Sequence, residues 1–532
     1  MPRWCLRLAP LSSCKWMLCL LGVCILAGCD DDAPQRSDAG TAPDSATDAT
    51  HGGDDPDAAT AEKPHAPDVS NNWAGGRGGK LDAGLLRSPM PAPDAGTTDA
   101  PATFPLRISD NHHYLIDRNG RPFLINQVSA WGLIQSLSLD DATSFIDELQ
   151  RRGFNTLLVS VISNDKRMPG DPPAWQGIAP FKQEWDFSTP NPDYFAHADQ
   201  ILELAKSRGM LVALVACYLG FPNDPTQGWA DELLDATNNL DKSREYGRYL
   251  GSHFQRFDNL IWVAGGDNFP VPGGKLEQHM KAVMDGVREN DPRHLWTAHW
   301  SGLEEGSVAT DQPTFAESMD LNGYYAFDYD LTYLKDLESI TRYPDKPLYH
   351  LDMAYETERG GDPESIRRRA YTAILSGAVG SSFNAGPNWY LFENWRAMGS
   401  PATAETEYWY RFFVSWPWQE LEPDIQHEAV TAGYGTFGSE EYVCVAHTAE
   451  WDLIIAYLPR GGTLTVDLSR LTGSSARVYW FDPTKGTTTE AERNTRHGRA
   501  ELSAPSAQSW VLVVQDAASA RGMPALPGST GG

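Results

Sequence analysis

From Phe104 onward the chain alternates between two kinds of segment. One kind is short and apolar at both parities, as in "FNTLLVSVI", "MLVALVACY" and "NLIWVAGG", the pattern of strands buried on both faces. The other repeats its apolar residues every three or four positions, as in "LDDATSFIDELQRRG", "PDYFAHADQILELAKSRG" and "DKSREYGRYLGSHFQRF", which is the period of a helix with one buried side. Ser138 stands where an N-cap is needed, and Gly153 and Gly209 stand where helices stop. The alternation continues through "GKLEQHMKAVMDGVREN", "HLWTAHW", "MDLNGYY", "LTYLKDLESITRY", "KPLYHLD", "PESIRRRAYTAILSG" and "VGSSFNAG". Before it, "HHYLIDRNGRPFLIN" predicts a hairpin at Asn119-Gly120. About eight strands alternating with helices over roughly 290 residues predict an α/β fold, and the count suits a closed (β/α)8 TIM barrel better than an open doubly wound sheet.

The pattern changes near Tyr408. Stretches such as "YVCVAHT", "DLIIAYL", "ARVYWFD" and "SWVLVVQD" are short strands separated by turn residues, which predicts a C-terminal antiparallel β-sandwich. The expected organisation is a barrel over 104–407, a sandwich over 408–516 and a frayed tail over 517–532. The stretch from Thr406 to Asp424 is dense in Trp, Tyr and Phe and reads as a buried junction, so the sandwich is expected to be a structural partner of the barrel.

The N-terminal hundred residues follow neither pattern. Residues 30–103 hold fourteen acids against five bases, about −9, with no apolar periodicity, and are expected to form a disordered acidic tether. Residues 1–29 read as an export signal: Arg3, Arg7 and Lys15 precede "MLCLLGVCILAGC". Leu26-Ala27-Gly28-Cys29 looks like a bacterial lipobox, which implies that Cys29 is the lipidated N-terminus of a protein held at a membrane of the cell envelope.

Charge and cysteine usage narrow the partners. A formal net charge of −28 repels phosphates, so nucleic acid is excluded as a partner. Five of seven cysteines lie within the first 29 residues, which leaves no disulfide framework and no metal-ligand spacing. No cofactor and no metal are expected, and a monomer is. Within 104–407 no GxGxxG or P-loop appears, which weighs against a nucleotide-binding sheet, and HExxH and Ser-His-Asp arrangements are absent.

The chemistry is carried by carboxyls at strand ends. "IWVAGGDNFP" brings Asp267 out of the fourth predicted strand through two glycines, and "KPLYHLDMAYE" ends the seventh in Asp352 and Glu356. Barrel enzymes build their sites at the C-terminal ends of strands, and paired carboxyls are what glycoside hydrolysis requires. Trp262, Trp296, Trp300, Trp389 and Tyr390 offer faces for sugar rings. His299 and Trp300 after the fifth strand, and Asn322, Tyr324 and Tyr325 at the sixth, are further candidates for holding substrate. Asp186 and Asn191 line the rim or cap a helix; Asp165, His350 and Asp328 have no assigned role.

These motifs together resemble the apiosidase-like glycoside hydrolases followed by a collagen-binding-like domain. The resemblance spans about residues 105–515 and rests on "YLIDRNGRPFLI", Ala130-Trp131, "RRGFNTLLV", "PNPDYFAHADQILELAKSRGMLVAL", "NLIWVAGGD", "KPLYHLDMAYE", "WFDPTKG" and "SWVLVV". It implies a retaining barrel glycosidase with Asp267 as acid/base and Trp131 in the substrate site. The chain departs from the family in Asp352, where Glu-x-x-Tyr-Glu is usual, in Asn126 to Ser129, and in "SSFNAG". The nucleophile is therefore Asp352 or Glu356. The expected activity is cleavage of plant or microbial polysaccharide side chains; the alternative is a non-catalytic surface protein that binds carbohydrate or matrix.

Overall fold

The apolar segments form eight parallel strands in the computed structural model, which describes residues 102–168, 174–327, 329–358, 361–385, 391, 400–496 and 498–519. The signal segment with Cys29, nearly all of the tether, Asp328, Trp389, Tyr390 and most of the tail lie outside these residues. The strands are β1 (Ile125–Ser129), β2 (Thr156–Ser160), β3 (Leu211–Val215), β4 (Leu260–Gly265), β5 (Trp296–His299), β6 (Asn322–Ala326), β7 (Leu348–Met353) and β8 (Gly380–Ala385). The main helices between and after them are α1 (Leu139–Arg151), α2 (Pro192–Ser207), α3 (Leu240–Phe254), α4 (Lys275–Asn290), α5 (Thr332–Arg342), α6 (Pro363–Leu375) and α7 (Pro401–Val414). Ser138 caps α1 by accepting from the Asp141 amide, and Asn191 caps α2 by accepting from that of Asp193.

The strands fall into two sheets. A curled parallel sheet of seven runs in the order Tyr355–Glu356, β8, β1, β2, β3, β4, β5, and β6 and β7 pair parallel in a second sheet with Ser307–Val308 added on β6. The sheets meet at two seams, each with backbone bonds across it: the Leu321 amide donates to the Trp296 carbonyl (3.0 Å), and the Val379 amide donates to the Leu348 carbonyl (2.7 Å).

Side chains follow the two-residue period of a strand. On β4, Ile261 and Val263 join Leu158, Ala213, Val215 and Leu351 on the sheet's concave side. Trp262 and Ala264 join Phe145, Leu250 and Val283 in the outer layer under the helices.

The C-terminal strands are β9 (Leu421–Pro423), β10 (Val430–Ala432), β11 (Cys444–Thr448), β12 (Leu453–Leu458), β13 (Thr463–Asp467), β14 (Ser475–Asp482), β15 (Thr487–Arg496), β16 (Arg499–Ser503) and β17 (Trp510–Asp516). They form antiparallel sheets in the orders β9-β11-β12-β17-β14-β15 and β10-β13-β16. Ile454, Ala456, Val478, Leu512 and Val514 pack toward the smaller sheet's Val430, Leu464 and Val466. The opposite parity, Ile455, Tyr457, Tyr479, Phe481 and Val513, shares a core with Tyr371 of α6 and Trp409, Phe412 and Phe413 of α7. The expected domain limit at 407/408 falls inside α7, because Ser400 caps that helix and Pro401 starts it.

Candidate active site

Asp267 is placed by a backbone that only its sequence allows. Gly265, Gly266 and Asp267 have φ of +85, +115 and +56. A Cβ on Gly265 would lie 2.5 Å from the His299 carbonyl oxygen, and one on Gly266 would lie 2.5 Å from the Tyr218 ring. The strand end therefore passes between Tyr218 and His299 without side chains and then presents the acid, in the left-handed region that Asp tolerates better than most residues.

Asp352 is placed by an irregularity of β7. Tyr349 and Leu351 face the concave side, while His350 points outward to Asp336 on α5 (2.9 Å). Strict alternation would send Asp352 outward as well. The β7–β6 register shifts between His350 and Asp352, and such a bulge re-aims the residue that follows. Asp352 consequently meets four donors: Ser129 Oγ (2.9 Å) and Asn384 Nδ2 (2.6 Å) on Oδ1, His299 Nε2 (3.1 Å) on Oδ2, and the Tyr355 hydroxyl (3.0 Å to Oδ2).

One imidazole spans the two carboxyls. His299 Nδ1 accepts the Asp267 amide (3.1 Å), so Nε2 carries the ring hydrogen and donates it to Asp352. Nδ1 lies 4.0 Å from Asp267 Oδ1. The ring is fixed by stacking on Tyr325 (4.0 Å) and by the edge-on contact with Trp131 (4.9 Å). Burial raises the pKa of Asp267; His299 and the Tyr218 and Tyr325 hydroxyls oppose that rise, and the charge of Asp352 adds to it.

Both carboxyls face a cleft of about 140 Å³ walled by Trp131, Tyr218, Tyr325, Phe327 and Tyr355, with Asp165 and Arg167 at its polar side. A larger cavity of about 460 Å³ adjoins it through Phe221 and is bordered by Asn268, the neighbour of Asp267.

Residues 109–420, more than half of the chain, match the family model described as apiosidase-like, catalytic domain. The chain belongs to the apiosidase-like family. Residues 435–515 match a second model, described as a collagen-binding domain of a collagenase. Among solved structures, the apiosidase-like chain is similar to one titled "Glycoside hydrolase" (19% identity, TM-score 0.67, 78% of this chain and 98% of that one). It is similar to the same degree to a glycoside hydrolase family 5 protein from Bacteroides vulgatus (19% identity, TM-score 0.67, 79% of this chain and 95% of that one). At these identities the likeness is one of fold. No curated protein matches the chain.

Several residues expected at the apiosidase-like site lie elsewhere. Glu356 is buried beside β8, outside the cleft, near Glu405 of α7. Trp262 stacks on Trp296 in the outer layer (5.8 Å) and donates to Asp291 (2.9 Å). Trp300 is buried against Phe315 and donates to the Ala309 carbonyl (2.9 Å). Asn322 is consumed by Thr310 and Ser339, and Tyr324 donates to the Glu305 carbonyl (2.7 Å). These six departures, Trp296 included, have one cause: a side chain's parity along its strand decides its face, and these residues have the outward parity, which Trp300 continues just past the end of β5. Asp186 is paired with Lys242 (2.8 Å). Sequence reasoning missed Tyr218, Gln227, Ser129, Asn384 and Tyr355 as site residues. Strand parity read from the neighbouring apolar residues would have favoured Tyr325 over Tyr324; the bulge that re-aims Asp352 left no sequence signal.

Proposed function

We propose that the protein is a retaining glycoside hydrolase that removes a single terminal sugar from plant or microbial polysaccharide side chains. The observation that carries this reading is the pair Asp267 and Asp352 set on opposite nitrogens of one imidazole at the floor of an aromatic cleft. In the first step Asp267 gives its proton to the glycosidic oxygen. The C–O bond electrons leave with that oxygen, and an Asp352 oxygen bonds to the anomeric carbon. In the second step water loses a proton to Asp267, its oxygen bonds to the same carbon, and the ester to Asp352 breaks. Trp131 and Tyr325 offer ring faces to the sugar. A cleft of about 140 Å³ is smaller than the roughly 300–1,000 Å³ of drug-sized sites, which favours one sugar ring. The adjoining cavity of about 460 Å³ suits the leaving group, on the side of the acid. We take the eight parallel strands as a closed (β/α)8 barrel; the backbone bonds across both seams support this.

A panel of neutral and acidic plant and bacterial glycans, followed by NMR of the first-formed anomer, tests the reading. Release of a monosaccharide with its anomeric configuration kept is expected; an inverted product, or polysaccharide bound and never cleaved, overturns it. Anchoring through Cys29 to a membrane of the cell envelope belongs to the same proposal. Cys29→Ser is expected to move the protein from the membrane fraction to the soluble one.

A further inference from the structure

The Tyr218 hydroxyl stands between two acceptors and has one hydrogen to give. Its oxygen is 2.5 Å from Asp267 Oδ2 and 2.8 Å from Gln227 Oε1. All three residues are buried. Orientation of the Gln227 amide is not open to choice. Nε2 donates to Asp224 Oδ2 (2.7 Å), and Oε1 accepts from Arg167 Nη2 (2.6 Å), which Asp165 holds by two further bonds of 2.9 and 2.7 Å. The atom facing Tyr218 is therefore an oxygen with no hydrogen of its own.

Counting hydrogens leaves one comfortable arrangement. If Tyr218 donated to Asp267, two bare oxygens would face each other at 2.8 Å in a buried site, a contact that costs rather than stabilises. If Tyr218 donates to Gln227, the 2.5 Å contact needs a hydrogen from the other side, and only Asp267 can supply it. We propose that Gln227, acting through Tyr218, keeps the Asp267 carboxyl protonated until substrate arrives, and that Tyr218 turns its hydrogen from Gln227 to Asp267 once that proton has left. Tyr218 and Gln227 are then positioning residues that set the two states the acid/base must visit. The first state favours proton donation. In the second, the Asp267 carboxylate gains a donor, and Gln227 keeps its bond from Arg167.

This inference rests on the role proposed for Asp267 and deepens it. Charged and titratable groups facing the pair are His299, Asp352, Tyr325 and Tyr355 around Asp267, and Asp165 and Arg167 around Tyr218. Asp224 acts through Gln227. Burial, which raises the pKa of Asp267, works in the same direction as the hydrogen count; a Tyr218 hydrogen given to the carboxylate lowers it, and that is the state Gln227 disfavours.

The test needs no substrate. The infrared difference between the purified full-length protein and its Asp267→Asn variant isolates the Asp267 carboxyl stretch, and titrating that band with pH gives the midpoint at which the proton leaves. Gln227→Leu and the better-matched Gln227→Met free the Tyr218 hydrogen for Asp267, so the midpoint is expected to fall by roughly one pH unit, a tenfold change in proton affinity. In a Tyr218→Phe background the same Gln227 substitutions are expected to change nothing, because their route to Asp267 is gone. A purely structural role for Gln227 would shift the midpoint equally in both backgrounds, and that result overturns the proposal. So does a midpoint that stays or rises in both Gln227 variants while circular dichroism shows them folded. Failure of every glycan in the panel would overturn the proposed activity and leave this titration unaffected.

Discussion

Asp267 combines a left-handed backbone, φ +56, with burial and the nearby charge of Asp352, and Asn is the substitution that keeps the first while removing the charge. Asp267→Asn is expected to lower turnover on poor leaving groups on the order of 100- to 10,000-fold and far less on activated aryl glycosides, which leave without a proton. Equal losses on both would remove Asp267 from the acid role. The same variant has a stability signature. Unfolded, this carboxyl titrates near 3.8, and burial raises it in the folded chain. The folded chain holds the proton to higher pH than the unfolded one. The stability this contributes is complete below 3.8 and is lost as pH rises through the folded value. Asp267→Asn removes that loss, so at neutral pH it is expected to melt above the wild type, measured by calorimetry with Asp267→Ala as the strained control. The second carboxyl is tested by contrast. A fluorinated sugar is expected to label Asp352, and Asp352→Asn to lower turnover at least about 1,000-fold. Glu356→Gln is expected to leave activity nearly intact, since Glu356 lies outside the cleft. A label on Glu356 would reverse the two assignments.

At the scale of elements, two strand ends make the site, and they differ in how visible they are in the sequence. β4 is legible: an apolar run, Gly265-Gly266 and an acid state a tight exit and a presented side chain. β7 is only half legible. "KPLYHLD" gives the strand and its acid, but the register shift that aims Asp352 inward depends on pairing with β6, a long-range contact with no local sign. Helices were the most readable parts, because caps such as Ser138 and Asn191 are local chemistry. Tyr218, Ser129 and Asn384 reach the site from β3, β1 and β8 by topology alone, and their sequence surroundings resemble any other strand end. Gly266→Ala tests the β4 reading. The added Cβ would stand 2.5 Å from the Tyr218 ring at φ +115. A loss on the order of 3 kcal/mol is expected from strain and overpacking, together with a loss of activity from misplacing Asp267. Unchanged melting and turnover would show that the glycine is not required there.

At the scale of the molecule, the larger C-terminal sheet has no free face over its middle strands. β12 and β17 read as continuous apolar runs because one parity packs on the smaller sheet and the other on α6 and α7. Tyr457 stacks on Tyr371 at 5.0 Å, and Phe481 meets Phe412 at 4.7 Å. This is the arrangement the aromatic stretch from Thr406 to Asp424 foreshadowed. It argues that the module matched to a collagen-binding domain completes the fold of the catalytic one. Aromatic side chains buried this way each contribute about 1.5–3 kcal/mol, so a shared core of this kind couples two domains into one unfolding unit. Calorimetry of residues 102–519 is accordingly expected to give one transition. Phe481→Ala, remote from Asp267 in sequence and on the far side of α7, is expected to lower the stability of that single transition by about 3–5 kcal/mol without dividing it. Ending the chain before Ala429 uncovers Tyr371, Trp409, Phe412 and Phe413 together, and the remaining piece is expected to aggregate or lose activity. Two independent transitions, or a truncated chain that stays soluble and fully active, would show that the β domain is an appendage with its own stability, and would reopen matrix binding as its function.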